Sequence, residues 1–183
     1  ENAVPVAIRQ SSMDKLTIFM TEEDKTRVLS DYTLMDKNSP EYATYVELYP
    51  TLAQEPVYVL NEIESAEIAW LNPVMGQTIL IVSGIEQALA DPAKVAAMAA
   101  GMGFDLSKLP PGVDIYTVLG QLPPAQLAKL MSPYTSKFAT LSDSMIVQAS
   151  ARPLLAEYTA LGMDTMKLST SYIIQIGLVM LLF

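Results

Sequence analysis

The chain contains no cysteine and no histidine. Without them, zinc sites, thiol nucleophiles, Ser-His triads and haem ligation lose their usual side chains. Positive charge is also scarce: 11 Lys and Arg stand against 20 Asp and Glu, a net charge of −9. A nucleic-acid surface needs clustered Lys and Arg, so no nucleic-acid partner is expected. The missing cysteines speak only weakly about compartment. They sit slightly more easily outside the cell, in an organism that does not rely on disulfides.

What is present is apolar. Hydrophobic residues make up 51% of the chain and charged residues only 17%, which is too apolar for intrinsic disorder. A length of 183 residues suits one domain or slightly more and buries a core without staples. The chain opens on Glu1 with no secretory signal pattern, so it reads as a piece cut from a longer protein. Its other end is an apolar run from Tyr172 to Phe183 in which only Gln175 is clearly polar. A membrane span needs about 20 such residues. The run therefore reads as the truncated start of a transmembrane helix over 171–183, with a buried C-terminal helix as the plainer alternative. The domain proper is 1–170. An orphaned apolar tail is expected to draw copies together into an artefactual oligomer, or to fold back on the domain.

The pattern along 1–170 predicts a mainly α, compact multi-helix fold with at most a small β element. Pro5 to Met20 reads as a first helix. Thr21-Glu-Glu-Asp24 looks like a capping box opening a second. Tyr32 to Met35 is a brief strand or turn. Ser39-Pro40-Glu41 starts a helix that Pro50 ends. Val57 to Leu60 is the best strand candidate. Asn61 is expected to cap a helix ending near Asn72-Pro73; Gln77–Ala90 reads as another helix, with a strand turning into a helix at Ser83-Gly84 as the alternative. A further helix spans Ala93–Ala100, followed by a loop from Gly101 to Gly112. Asp114 caps a short helix to Leu119. Pro123-Pro124 begins one over Ala125–Met131. Ser142 caps the last set, which Pro153 should break or restart and Gly162 should stop.

Candidate chemistry is thin. Gly101 and Gly103 lack the third glycine and preceding strand of a dinucleotide fingerprint, and no phosphate-loop motif exists. Glu62, Glu64 and Glu67, and separately Glu22, Glu23 and Asp24, could bind a cation or transfer protons. Both groups lie near helix starts, where acids are favoured anyway. Met98 with Met102, and Met163 with Met166, could offer thioethers to a soft metal, but adaptable core filler is the better reading. Tyr42, Tyr45 and Tyr49 fall on one helical stripe. A core-facing stripe is the default, and a contact surface for a partner or an apolar ligand is the alternative. No catalytic residue and no metal or cofactor ligand is assigned.

Several strings resemble a family. Glu1-Asn-Ala-Val-Pro5, Ile8-Arg9 and Met13-Asp-Lys-Leu16 resemble the segment after the first transmembrane helix of bacterial heterodimeric multidrug ABC exporters, one half of which carries a large extracellular insertion there. The resemblance continues in Leu80-Ile-Val-Ser-Gly-Ile-Glu86 and resumes at Leu161-Gly-Met-Asp164, Thr165, Lys167 and Ser171-Tyr172. Ala88 to Ser144 is left unassigned. The resemblance implies an extracellular domain at the outer face of the cell membrane, tethered to transmembrane helices of its own chain and facing a second half-transporter. It implies a lid or gating role without catalysis in these residues. ATP and Mg would bind in the family's separate cytoplasmic domain. A module that captures an apolar ligand or a partner protein is the second expectation, and an enzyme the third.

Overall fold

The computed structural model describes residues 2–91, 114–138 and 140–164, with the side chains of residues 133 and 134 excepted. The expected helix over 93–100, Met98, Met102, the loop at Gly101 and Gly103, Met166 and the apolar run 172–183 lie outside the described residues. Within them, the elements are β1 (Ala7–Arg9), α1 (Gln10–Thr17), α2 (Glu22–Ser30), β2 (Tyr32–Met35), α3 (Tyr42–Leu48), a 3-10 turn (Pro50–Ala53), β3 (Val57–Leu60), α4 (Ser65–Leu89), α5 (Ile115–Gly120), α6 (Pro124–Phe138) and α7 (Asp143–Ala160). The fold is mainly α with one small sheet.

The sheet is antiparallel, in the order β1-β3-β2. Its register sets Ala7 opposite Val59 and Arg9 opposite Val57, with Met35 opposite Val57 on the other side. Side chains alternate across a strand, so the sheet serves two cores. Ile8, Tyr32, Tyr58 and Leu60 face a large cluster built with α1, α2, α4, α5 and α6. Ala7, Met35, Val57 and Val59 face a smaller one completed by Tyr49, Leu52, Tyr158 and Leu161.

Local signals hold where they depend only on neighbours. Thr21 caps α2 by accepting from the Asp24 N–H at 3.1 Å, and its own hydroxyl donates to Asp24 Oδ2 at 2.8 Å. Asp114 and Ser142 cap α5 and α7 in the same way. Gly162, at φ +82°, follows α7 in the left-handed conformation that favours glycine.

Four expectations are corrected. Residues 7–9 are a strand, not the start of a helix, because β3 offers them an edge. The ladder extends beyond the strand, with the Leu60 N–H donating to the Val6 carbonyl and the Gln10 N–H to Pro56. Neither Ser39 nor Asn61 caps a helix with its side chain: Ser39 Oγ accepts from Asp36 N–H, and Asn61 links Thr33 to the Ser30 carbonyl. α4 runs unbroken through Pro73. Leu71, Met75, Ile79 and Val82 continue one buried stripe, and their burial outweighs one lost backbone hydrogen bond. Pro153 lies inside α7 for the same reason, between buried Ser150 and Leu154.

α4 is long and apolar enough to cross a membrane, yet 44% of its most apolar stretch is buried within the fold. It forms the largest helix–helix contact here, against α7.

Candidate functional site

The most elaborate polar arrangement joins the first strand to the last described helix. Arg9 leaves β1 on the face shared with Ala7, which is the face α7 covers. Its Nη2 donates to Glu157 Oε2 at 2.8 Å and its Nε to Oε1 at 3.1 Å. The Arg9 backbone N–H adds a bond to Oε1 at 2.9 Å, and Ser12 Oγ donates to Oε2 at 2.8 Å. Glu157 is thus saturated by donors. Hydrogen bonding to Glu157 holds Arg9 more firmly protonated than usual, against the opposing cost of burial. Glu55 approaches Arg9 Nη1 at 3.9 Å and accepts the Ser11 N–H.

Further bonds run alongside. The Val6 N–H donates to the Tyr158 hydroxyl at 3.1 Å, and Thr51 bonds both the Ala160 and the Leu161 carbonyls. The Tyr32 hydroxyl donates to the Pro5 carbonyl at 2.8 Å, and burial pushes that phenol well above its usual range. Residues 5–9 and 157–161 are therefore clasped to each other and to the sheet. Pattern reading missed this pair. A contact across 148 positions leaves no local mark in the sequence.

A crevice of about 190 Å³ opens beside the clasp, between α1, α4 and α7. Ile79, Val82 and Leu154 line its floor, and the Lys15–Glu86 ion pair at 2.8 Å stands on its rim. A wider groove of about 800 Å³ lies between the α1–α2 link and the α5–α6 link. Ile18, Phe19, Met20, Leu122 and Leu127 line it, with Asp14, Glu22 and Lys25 at its edges.

Tyr42, Tyr45 and Tyr49 share one side of the α3 segment, and all three pack against the smaller core. Tyr49 is buried, and its ring stacks on that of Tyr45 with centroids 6.1 Å apart. Tyr42 and Tyr45 keep part of their surface in water. The stripe does not adjoin either cavity.

The acidic groups are not brought together. Glu22, Glu23 and Asp24 lie in the first turn of α2. Glu62 and Glu64 are exposed, while Glu67 forms a two-point ion pair with Arg27, both bonds at 2.7 Å. Among the described residues no group of three or more carboxylates is gathered to hold a metal ion. Ser83 Oγ accepts from the Gln87 side chain and has no base beside it among the bonds formed here. Among the described residues, the geometry joins β1 to α7 through a polar clasp and leaves two sheltered apolar clefts.

Comparison with protein-family models, with curated proteins and with solved structures gives no match for this chain.

Proposed function

We propose that this chain is the extracellular domain inserted between the first two transmembrane helices of a heterodimeric, multidrug-type ABC exporter subunit. Its role there is a non-catalytic lid or brace over the outer mouth of the translocation pathway. The observation that carries the reading is the clasp. A domain inserted between two consecutive spans must take in the chain and return it at nearly one place. Arg9 and Glu157 meet at 2.8 Å across 148 positions of sequence. Two tethers held this closely pass movement of their spans to the whole domain, instead of spending it on separating the ends. The resemblance of residues 1–16, 80–86 and 161–172 to that family supplies the membrane context. Its partners are the transmembrane helices of its own chain and the second half-transporter. ATP and Mg bind in the family's cytoplasmic domain, outside these residues.

The test uses the full-length subunit with its partner. A single cysteine at the exposed Asn38 is exposed to a membrane-impermeant maleimide in intact cells. The proposal expects labelling without permeabilisation. Labelling only after permeabilisation contradicts it.

The groove favours a second reading, an extracellular module that captures an apolar ligand or partner protein. Its 800 Å³ is within the range of small-molecule sites. Calorimetric titration with a panel of amphipathic compounds decides: saturable heat that Leu127→Asp abolishes supports capture, and no heat across the panel removes it.

A further inference from the structure

Ala3, Val4 and Pro5 belong to no helix or strand, yet all three are buried, while Val6 after them is exposed. Their place is the crossing of α4 and α7. A Cβ on Gly76 of α4 would stand 3.2 Å from the Ala3 methyl, 2.7 Å from Ile146 Cγ2 and 3.7 Å from Ser150 Oγ. Ile146 and Ser150 lie one turn apart on α7. Glycine at 76 therefore leaves a seat that Ala3 shares with one face of α7. Asn72 stands one turn earlier than Gly76 on the same side of α4, and its Oδ1 accepts the Ala3 N–H at 2.7 Å. Val4 joins the larger core, and Pro5 walls the crevice beside Ile79 and Leu154.

Two fastenings of unequal strength thus follow each other along the chain. Ala3–Pro5 is held by the bond to Asn72, by the Tyr32 hydroxyl on the Pro5 carbonyl and by burial of three small side chains. Proline has no N–H to add to these bonds. From Val6 onward the chain is bonded on both sides. The β3 ladder reaches from Val6 to Gln10, and Glu157 accepts four bonds from Arg9 and Ser12. We infer that Ala3–Pro5 is a strap seated in the α4–α7 crossing, which lifts off ahead of the rest of the fold, as far as the Arg9–Glu157 clasp and no further. A segment outside the ladders opens at lower free energy than the elements it lies on. Lifting it costs Gly76 and Ile146 a packing partner but leaves the sheet and the clasp bonded. In the proposed lid the strap is the give in the first tether. The inference itself stands on the contacts alone, and its test is read on this chain without a transporter.

Each fastening has its own reporter. Ala3 and Arg9 both donate a backbone N–H to a side chain, Ala3 to Asn72 and Arg9 to Glu157. Their amide exchange therefore reads strap and clasp separately. The experiment is native-state hydrogen exchange by NMR on the full chain, at several low urea concentrations. Ala3 is expected to be protected, but about tenfold or more less than Arg9, and with little dependence on urea. Asn72→Ala removes one hydrogen bond and is expected to speed Ala3 about tenfold while Arg9 stays unchanged. Asn72→Asp keeps an acceptor in place and keeps the protection of Ala3. Two results on the unsubstituted chain overturn the inference, whether or not the variants fold. Ala3 exchanging as fast as an unfolded peptide means that no strap is seated. Ala3 sharing the rate and urea dependence of Arg9 means that the strap has no opening of its own. An Asn72→Ala chain in which Ala3 is unmoved, or in which Ala3 and Arg9 speed up alike, overturns it as well.

Discussion

Glu157 accepts bonds from three groups on β1 and α1: the Arg9 guanidinium, the Arg9 backbone N–H and Ser12 Oγ. Its side chain is only 12% exposed and that of Arg9 29%, so water cannot fully replace a lost partner. Glu157→Gln keeps the shape but removes the charge and turns one acceptor into a donor facing donors. It is expected to cost about 1.5–3 kcal/mol in urea-denaturation stability, the range for hydrogen bonds to charged groups. An unchanged midpoint would mean the pair behaves like an ordinary surface ion pair. Gly162 makes a second residue-scale case. At φ +82°, with the Pro50 ring 3.0 Å from where a Cβ would stand, Gly162→Ala meets both backbone strain and a clash. A loss of about 1–2 kcal/mol is expected from the strain alone, read as a lowered thermal midpoint by circular dichroism.

At the scale of elements, α4 and α7 cross where Gly76 leaves room. A Cβ there would stand 2.7 Å from Ile146 Cγ2 and 3.2 Å from Ala3 Cβ. Gly76→Ala is expected to destabilise by about 1–3 kcal/mol through overpacking, despite alanine's better helix propensity. Ile146, fully buried, should cost about 2–5 kcal/mol when cut to alanine. The double variant should cost clearly less than the sum, because the second change removes the atom that the first one strikes. Strict additivity in a chemical-denaturation cycle would place the two helices further apart than described. Elements also separate what the sequence made legible from what it did not. The caps at Thr21, Asp114 and Ser142 were readable because a cap is completed within three residues. β1 was not, since Ala7–Arg9 becomes a strand only when β3 arrives beside it. Pro73 and Pro153 misled for a related reason: proline's cost is local, but the burial that offsets it is distributed over the α4–α7 contact. The tyrosine stripe was visible from its spacing, and its inward packing follows from the apolar face opposite. The clasp was invisible, because neither Arg9 nor Glu157 says in sequence which charge it will meet.

For the whole molecule, one sheet placed between two apolar clusters explains why residues 5–9 and 157–161 lie together. β1 brings Arg9 to the smaller core, and α7 closes that core with Tyr158 and Leu161. A body built this way should move as one piece when its tethers move, and this is the central claim of the proposed lid. The direct measurement is a pair of spin-label distances in the full-length protein reconstituted as the proposed exporter, without nucleotide and with the ATP-bound state trapped. One pair, at Val6 and Ala156, spans the clasp. The other runs from Asn38 to the outer end of a transmembrane helix in the second half-transporter. The account predicts a short, narrow Val6–Ala156 distance that is the same in both states, and an Asn38 distance that changes with nucleotide. An Asn38 distance that ignores nucleotide, or a Val6–Ala156 distance that widens when it changes, contradicts it.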